Sequence, residues 1–270
     1  MIVFPGSKIN LGLRITEKRQ DGYHNLQTVF YPLSFSDVLE AIPAKETSLT
    51  TSGLQIPGLE ENNLVMQAVD LMGQRYDIPG FRVHLHKVIP PGSGLGGGSA
   101  DAAAMMKIIN QLAKLNLSEN DMVAIASELG ADCSFFTKNA PVYATAKGDR
   151  FEKIDLSIEG YKIVVILPEV SISTAQAYRQ IVPVFPEQRV TDVIQMPIGK
   201  WKDQLINDFE KIDDLPPQII DIKSRLYKAG AVYAAMSGSG SAVFGIFDQS
   251  VEIDKEKFYP FHVHMEKAKH

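Results

Sequence analysis

A chain of 270 residues is long enough for one large domain or two domains of modest size. Hydrophobic residues make up 45% of the chain and charged residues 22%. This balance is typical of a globular protein and excludes a mainly disordered or membrane-spanning chain. The formal charge is −5, with 27 Lys and Arg against 32 Asp and Glu, so no overall basic field attracts nucleic acid or an anionic membrane. A polyanionic small molecule would have to be held by local geometry.

The single cysteine, Cys133, excludes an internal disulfide and any metal site built on cysteine pairs. The first residues carry no basic segment followed by an apolar run, so no secretory signal is predicted. Both features favour a cytoplasmic location. The oligomeric state is not predictable from these patterns.

The first half of the chain reads as strands followed by helices. Alternation of apolar residues and turn signals predict, in chain order, strands over 9–15 and 26–33, a helix over 64–76, a strand over 81–88, a helix over 100–115 with Ser99 as its N-cap, and a helix that begins at Ser118 and ends at Gly130. Two helices follow each other here without a strand between them.

The second half mixes strands and helices. The pattern predicts strands over 142–145 and 161–167, a short helix over 174–181, helices over 201–209 and 216–228, and strands over 232–236 and 242–247. The polar stretch 148–160 is the candidate boundary, which gives two domains, 1–158 and 159–270. The fold class is therefore α+β.

The most informative segment is the glycine-rich stretch 92–98. Its glycines at 92, 94 and 97 satisfy G-x-G-x-x-G, but the helix that follows leads to a second helix and not to the strand that a dinucleotide-binding fold requires. The P-loop pattern fails as well, because Gly98 stands where its lysine must be. Five glycines in seven positions leave backbone N–H groups open, and the loop runs into a helix N-terminus. The segment therefore predicts a phosphate-binding loop.

A second loop of small residues, 237–241, lies between two predicted strands. Alone it fits a plain hairpin connection equally well. Together with the first loop, it is a candidate second phosphate loop through Ser237, Gly238, Ser239 and Gly240.

These segments resemble the GHMP kinase superfamily, which has a lysine on an amino-terminal strand (Lys8 here), a glycine-rich phosphate loop (90–99) and a late Gly-Ser loop (237–241). Residues 21–24, 130–136 and 207–210 are most similar to those members that phosphorylate the 2-hydroxyl of a cytidine diphosphate-linked methylerythritol in non-mevalonate isoprenoid synthesis. The resemblance implies an amino-terminal domain like domain 2 of ribosomal protein S5, a ferredoxin-like carboxy-terminal domain, and ATP with Mg²⁺.

The resemblance also implies roles for individual residues. Lys8 and Asp132 match the catalytic pair. The ATP loop corresponds to Pro90, Pro91, Gly92, Ser93, Gly94, Leu95, Gly96, Gly97, Gly98, Ser99 and Ala100. The substrate-binding positions correspond to Asn10, Tyr23, His24, Phe30, Lys147, Thr174 and Tyr178. No protein ligand is implied for Mg²⁺, and Ala100 stands where many relatives carry a second serine.

Phosphoryl transfer depends mainly on positioning and on electrostatic stabilisation of the transferred group. We therefore expect Asp132 to orient the acceptor hydroxyl and to take its proton late, while Lys8 stabilises the carboxylate and the developing charge.

Two other functions stay open at this point. One is a GHMP kinase for another small alcohol, such as mevalonate or homoserine, and residues 21–24 argue against it. The other is a nucleotide-binding protein without catalysis, and the presence of both Lys8 and Asp132 argues against it. The aromatic residues of the predicted pocket could equally be core residues. His84 with His86, and His262 with His264, share strand faces, but nothing adjacent in sequence completes a metal site.

Overall fold

The computed structural model describes residues 1–269. The strands are β1 (Ile2–Val3), β2 (Gly6–Lys18), β3 (His24–Ser36), β4 (Val38–Ala44), β5 (Ser48–Gly53), β6 (Gly80–Lys87), β7 (Val142–Thr145), β8 (Arg150–Lys153), β9 (Tyr161–Leu167), β10 (Tyr233–Met236), β11 (Val243–Asp248) and β12 (His262–Lys267). The α-helices are α1 (Leu64–Gly73), α2 (Gly97–Leu112), α3 (Glu119–Leu129), α4 (Ala131–Lys138), α5 (Thr174–Gln180), α6 (Val190–Ile194) and α7 (Pro217–Lys228). Short 3₁₀ turns occupy Glu60–Asn62, Ile198–Lys200, Asp208–Lys211 and Lys255–Phe258.

The chain forms two compact units, each assembled from separate segments. The first contains residues 1–7, 34–91 and 96–140, and the second contains 8–33, 92–95 and the chain from Pro141 onward. The predicted division into 1–158 and 159–270 stays a prediction, and its boundary lies inside the second unit. The glycine-rich segment therefore contributes to both units.

The first unit packs helices on a four-stranded sheet of order β1-β4-β6-β5, in which β5 runs parallel to β6 and the other pairs are antiparallel. Strand β6 alternates as predicted, with Phe81, Val83 and Leu85 all buried. They join a core that includes Met105 of α2 and Ile125 of α3. This core holds α2, and with it the end of the glycine-rich loop.

The second unit contains the sheets β2-β3-β7-β8 and β10-β11-β9-β12. The latter is antiparallel throughout, and the apolar face of α7 (Ile219, Ile222 and Leu226) is buried in its core. Its spatial order, with the first strand β9 between the last strand β12 and the third strand β11, is that of a ferredoxin-like fold. The predicted α+β class and ferredoxin-like half are confirmed.

One predicted helix is wrong, and one observed helix was not predicted. The helix predicted over 201–209 is absent, because this segment bonds to strands: the Leu205 carbonyl accepts from the Tyr233 hydroxyl of β10 at 2.7 Å, and the Ile206 carbonyl accepts from the Leu13 amide of β2 at 2.8 Å. Helix α4 was not predicted. It is short, and its polar first residues resemble turn chemistry.

The predicted N-cap at Ser99 is also wrong. Helix α2 begins at Gly97 with Gly96 as its N-cap, and Ser99 lies inside the first turn. Gly96 has a φ of 74°, a left-handed conformation that glycine adopts without steric cost. The helix start predicted at Ser118 is confirmed, and Ser118 forms a capping box with Asp121.

Within residues 1–269, no helix has both the length and the apolar content of a membrane span.

Candidate active site

Lys8 lies on β2 and is only 3% exposed. Its ammonium donates to the side-chain oxygen of Asn10 at 2.6 Å and to the Gly94 carbonyl at 2.8 Å, and it lies 5.2 Å from the centre of the Phe30 ring. The Asn10 amide donates in turn to the Thr28 hydroxyl at 2.9 Å. The strand pairing thus places a buried cation, fixed by hydrogen bonds, against the glycine-rich loop.

The glycine-rich loop takes a shape that other residues would resist. Gly92, Gly94 and Gly96 have φ values of 72°, 78° and 74°, in the left-handed region. The first N–H groups of α2, which begins at Gly97, have no acceptor within the helix, and the helix dipole makes this end positive. Open N–H groups and a positive helix end suit a phosphate group. The geometry therefore supports the predicted phosphate loop.

The two small-residue loops are bonded to each other. The Ser237 hydroxyl donates to the Gly94 carbonyl at 3.0 Å, and the Ala242 amide donates to the Ser93 carbonyl at 2.9 Å. The sequence raised the possibility that both loops serve one ligand, and their contact supports that proposal.

A buried asparagine holds the Gly-Ser loop from behind. Asn207 donates both amide hydrogens, to the Met236 and Gly238 carbonyls, at 2.8 Å each. Its side-chain oxygen accepts from the Phe209 amide at 3.0 Å. All its hydrogen-bonding groups are thus used, and the loop base is fixed.

The neighbouring acidic residues attach this segment to other elements. Asp208 accepts from the Ile15 amide at 2.9 Å and from the Arg14 guanidinium at 3.1 Å, both on β2. Glu210 forms an ion pair with Lys223 of α7. Residues 207–210 therefore connect the Gly-Ser loop, the lysine-bearing strand and α7, which explains the density of polar residues in this motif.

A cavity of about 680 Å³ lies in the second unit. The His24 ring stacks on the Tyr178 ring with centroids 5.0 Å apart, and the Lys147 ammonium lies 4.9 Å from the centre of the Tyr23 ring. Thr174, at the start of α5, forms a hydrogen bond of 2.8 Å with the Ser239 hydroxyl. The lining residues are Lys18, Gly22, Tyr23, His24, Lys147, Thr174, Ala175, Tyr178, Arg179 and Ile181.

The structure therefore brings together five of the predicted substrate residues, while Phe30 and Asn10 lie with Lys8. Lys18 and Arg179 were not predicted from the sequence, and they add two positive charges to the cavity lining beside Lys147. Lys18 lies at the end of β2, three residues before the 21–24 motif, and this proximity could have indicated that it lines the same cavity. Burial, and then the charge of Lys18, lower the pKa of His24 below its ordinary value, which favours the neutral imidazole.

Asp132 lies in the first turn of α4, where a helix N-terminus stabilises negative charge. It belongs to the first unit and Lys8 to the second, so their action as a pair stays a proposal. The adjacent Cys133 is buried, and burial raises the pKa of its thiol to about 11. It is therefore a protonated core residue at neutral pH.

The histidine pairs have ordinary polar partners. The Ser52 hydroxyl lies 2.9 Å from ring nitrogens of both His84 and His86, and His264 lies 2.8 Å from the Glu266 carboxylate. Among residues 1–269, no group of three or more His, Cys, Asp or Glu side chains is arranged to hold a metal ion.

Comparison with known proteins agrees with this geometry. Residues 63–140 match the model of the GHMP kinases N terminal domain, and residues 200–259 match that of the GHMP kinases C terminal domain. The chain is 45% identical to the 4-diphosphocytidyl-2-C-methyl-D-erythritol kinase of Parabacteroides distasonis, over 96% of each chain. It is 49% identical to the enzyme of that name from Bacteroides thetaiotaomicron, over 92% of each chain. The chain belongs to the 4-diphosphocytidyl-2-C-methyl-D-erythritol kinase family of GHMP kinases.

Solved structures extend the comparison to the fold. A crystal structure of 4-(cytidine 5'-diphospho)-2C-methyl-D-erythritol kinase superposes with a TM-score of 0.74 at 31% identity, covering 91% of this chain and 89% of that one. Mevalonate kinase of Methanococcus jannaschii superposes with the same TM-score at 15% identity, over 100% and 98% of the two chains, which shows a shared fold alone. The predicted membership of the GHMP kinases, and of this family within them, is confirmed.

Proposed function

We propose that this member of the 4-diphosphocytidyl-2-C-methyl-D-erythritol kinase family transfers the γ-phosphoryl group of ATP to the 2-hydroxyl of 4-diphosphocytidyl-2-C-methyl-D-erythritol, a step of isoprenoid precursor synthesis. The main support is the identity of 45–49% to kinases of that name over more than nine-tenths of the chain. The cavity at Tyr23, His24 and Tyr178 has aromatic rings and a cationic lining, which fit a ligand with a base and anionic phosphates, such as cytidine diphosphate.

The glycine-rich loop and the N-terminus of α2 are proposed to hold the phosphates of ATP. Backbone N–H groups that are fixed before binding need little reorganisation when the ligand binds. They therefore stabilise charge on the transferred group effectively. The contacts of Ser237 and Ala242 fix Ser93 and Gly94 of the loop. Mg²⁺ bound to ATP would neutralise phosphate charge, and no residue of this chain is assigned as its ligand.

Asp132 is proposed to orient the acceptor hydroxyl and to accept its proton late in the transfer. A carboxylate is a weak base toward an alcohol, so early and complete deprotonation is unfavourable. Lys8 is proposed to stabilise charge through its ammonium. The hydrogen bonds to Asn10 and Gly94 restrict that ammonium to one position, which provides the orientation that such stabilisation requires.

The cytidine end of the substrate is proposed to occupy the aromatic cavity. A pyrimidine ring can stack on the exposed Tyr23 ring or the paired His24 and Tyr178 rings, and stacking contributes about 1–3 kcal/mol per base. Lys18, Lys147 and Arg179 would face the diphosphate. These positive charges complement a dianionic ligand.

Phosphorus NMR tests the function directly. The protein is incubated with ATP, Mg²⁺ and 4-diphosphocytidyl-2-C-methyl-D-erythritol, beside samples with mevalonate, with homoserine and without acceptor. A new phosphomonoester signal together with ADP in the first sample alone is expected. Product from another alcohol would contradict the substrate, and the absence of product in every sample would contradict catalysis.

A further inference from the structure

Three buried charged residues lie directly behind the start of α2, outside the catalytic and cavity residues described above. The Lys87 ammonium, at the end of β6, donates to the Asp37 carboxylate and, at 2.7 Å, to the Asp101 carboxylate. None of the three is more than 3% exposed. We call them the Lys87 cluster.

The two carboxyl groups of the Lys87 cluster are not equivalent. Both carboxylate oxygens of Asp37 accept hydrogen bonds. One accepts from Lys87, and the other accepts from the amides of Val88 and Ile89 at 2.6 and 2.8 Å. The second oxygen of Asp101 is buried and has no hydrogen-bond partner among residues 1–269. Stabilisation of the ionised form is therefore concentrated on Asp37.

Charge balance favours a proton on Asp101. Two buried carboxylates with one ammonium would leave an uncompensated negative charge, which burial strongly disfavours. Burial, and with it the charge of Asp37, raises the pKa of Asp101 to about 7, against the opposing attraction of Lys87. The charged groups acting on Asp101 are Lys87 from β6 and Asp37 from the turn between β3 and β4.

Asp101 lies on the helix that ends the glycine-rich loop. It is four residues after Gly97, about 6 Å along the helix axis from the first helical residue. The cluster also contacts the helix start itself, since a Cβ added to Gly97 would lie 3.0 Å from the Lys87 ammonium and 2.9 Å from the Ile89 side chain. A negative charge at Asp101 would therefore reduce the positive potential at the N-terminus of α2.

We propose that Asp101 is a positioning residue which, held neutral by a proton within the Lys87 cluster, preserves the positive potential of the α2 N-terminus for the phosphates of the nucleotide. The proposal rests on the proposed nucleotide site at the glycine-rich loop. It assigns to Asp101 an electrostatic role without contact to the ligand. Its signature is linkage: the nucleotide binds more weakly as Asp101 ionises, and binding raises the pKa of Asp101.

The test is the pH dependence of ADP binding, measured by calorimetry between pH 6 and 8.5 for the wild-type protein and Asp101→Asn. Asparagine keeps the shape and stays neutral. The ratio of the wild-type Kd to the variant Kd is expected to rise about fivefold over this range, because only the wild type gains the charge. Taking the ratio cancels the titration of ADP itself. Asp70→Asn, at an exposed position of α1, is the matched control and should follow the wild type.

A second measurement needs only the wild-type protein. Carbon NMR of carboxyl-labelled aspartate should contain one carboxyl that titrates near pH 7, and ADP should move its midpoint upward. A Kd ratio that stays constant with pH, or an aspartate midpoint that ADP leaves unchanged, would overturn the proposal while leaving the nucleotide site intact. The absence of ADP binding in the wild type would overturn both.

Discussion

The Ser237 hydroxyl donates to the Gly94 carbonyl at 3.0 Å, which joins two loops 143 residues apart in the chain. The approach is so close that a Cβ on Gly94 would lie 2.0 Å from the Ser237 carbonyl oxygen. Neither loop can therefore shift without the other. The proposed nucleotide site depends on this contact as much as on the glycine content of the first loop.

Gly94→Ala is expected to destabilise the fold by several kcal/mol, since the added methyl group overlaps backbone atoms and Gly94 also has a φ of 78°. Gly92→Ala is the matched control. Gly92 has a φ of 72° but no atom within 4 Å of the added Cβ, so it reports the conformational cost alone, about 1 kcal/mol. Urea unfolding of both variants measures the difference. Equal losses would contradict the close contact.

Asn207→Ala should cost about 2–4 kcal/mol of stability, because it leaves the Met236 and Gly238 carbonyls and the Phe209 amide without their partner in a buried site. We also expect a raised KM for ATP, as the Gly-Ser loop loses its support. Asn62→Ala, at an exposed position, is the control and should change stability by less than about 0.5 kcal/mol. Denaturant unfolding and initial rates measure both effects. An unchanged KM would mean that Asn207 serves the fold alone.

The parts of the fold with local sequence signals were predictable. The alternation of strand β6 and the helix start at Ser118 were predicted without any tertiary information and are confirmed, whereas the phosphate loop at 92–98 stays a prediction. The segment 201–209 was not predictable, because its apolar spacing resembles a helix while the Leu205 and Ile206 carbonyls bond to the distant residues Tyr233 and Leu13. Tertiary bonds outweighed local propensity there.

Several residues of the candidate site and of the Lys87 cluster have no local signal in the sequence. Asp37, Lys87 and Asp101 are spread over 64 positions and carry no spacing signal, so only the folded chain brings them together. Lys18 and Arg179 likewise meet only through the cavity. Phe30 matched the pocket by resemblance, yet β3 places it beside Lys8.

The cationic lining of the cavity should distinguish CDP from cytidine. Arg179→Gln is expected to raise the Kd for CDP about three- to tenfold, because a charge-assisted contact to phosphate contributes about 1 kcal/mol at an exposed site. The Kd for cytidine should stay within about twofold, since stacking is unaffected. Calorimetry with both ligands gives the comparison, and Lys153→Gln on β8 is the exposed control. Equal losses for both ligands would show that Arg179 does not face the diphosphate.

His24 should titrate below the ordinary histidine value of 6.5, so that it is neutral at pH 7. Burial is the larger cause and the charge of Lys18 the smaller one. Lys18→Gln should therefore raise the pKa of His24 but leave it under 6.5. Proton NMR of the imidazole ring over pH 4–8 measures both values, with Lys153→Gln again as control. If the pKa of His24 is the same in Lys18→Gln as in the wild type, the charge of Lys18 does not lower it.

Asp132→Asn should lower kcat about a hundredfold or more at saturating substrates, because the amide cannot accept the hydroxyl proton, while KM for ATP changes little. Lys8→Met should lower kcat similarly and also reduce stability, since the Lys8 ammonium bonds to Asn10 and Gly94 in a buried site. If the two act together, the double variant loses less than the product of the single effects. Steady-state kinetics of the single and double variants measures these effects, with Asp77→Asn as the control. Retention of most of the wild-type kcat in Asp132→Asn would exclude Asp132 as the group that handles the proton.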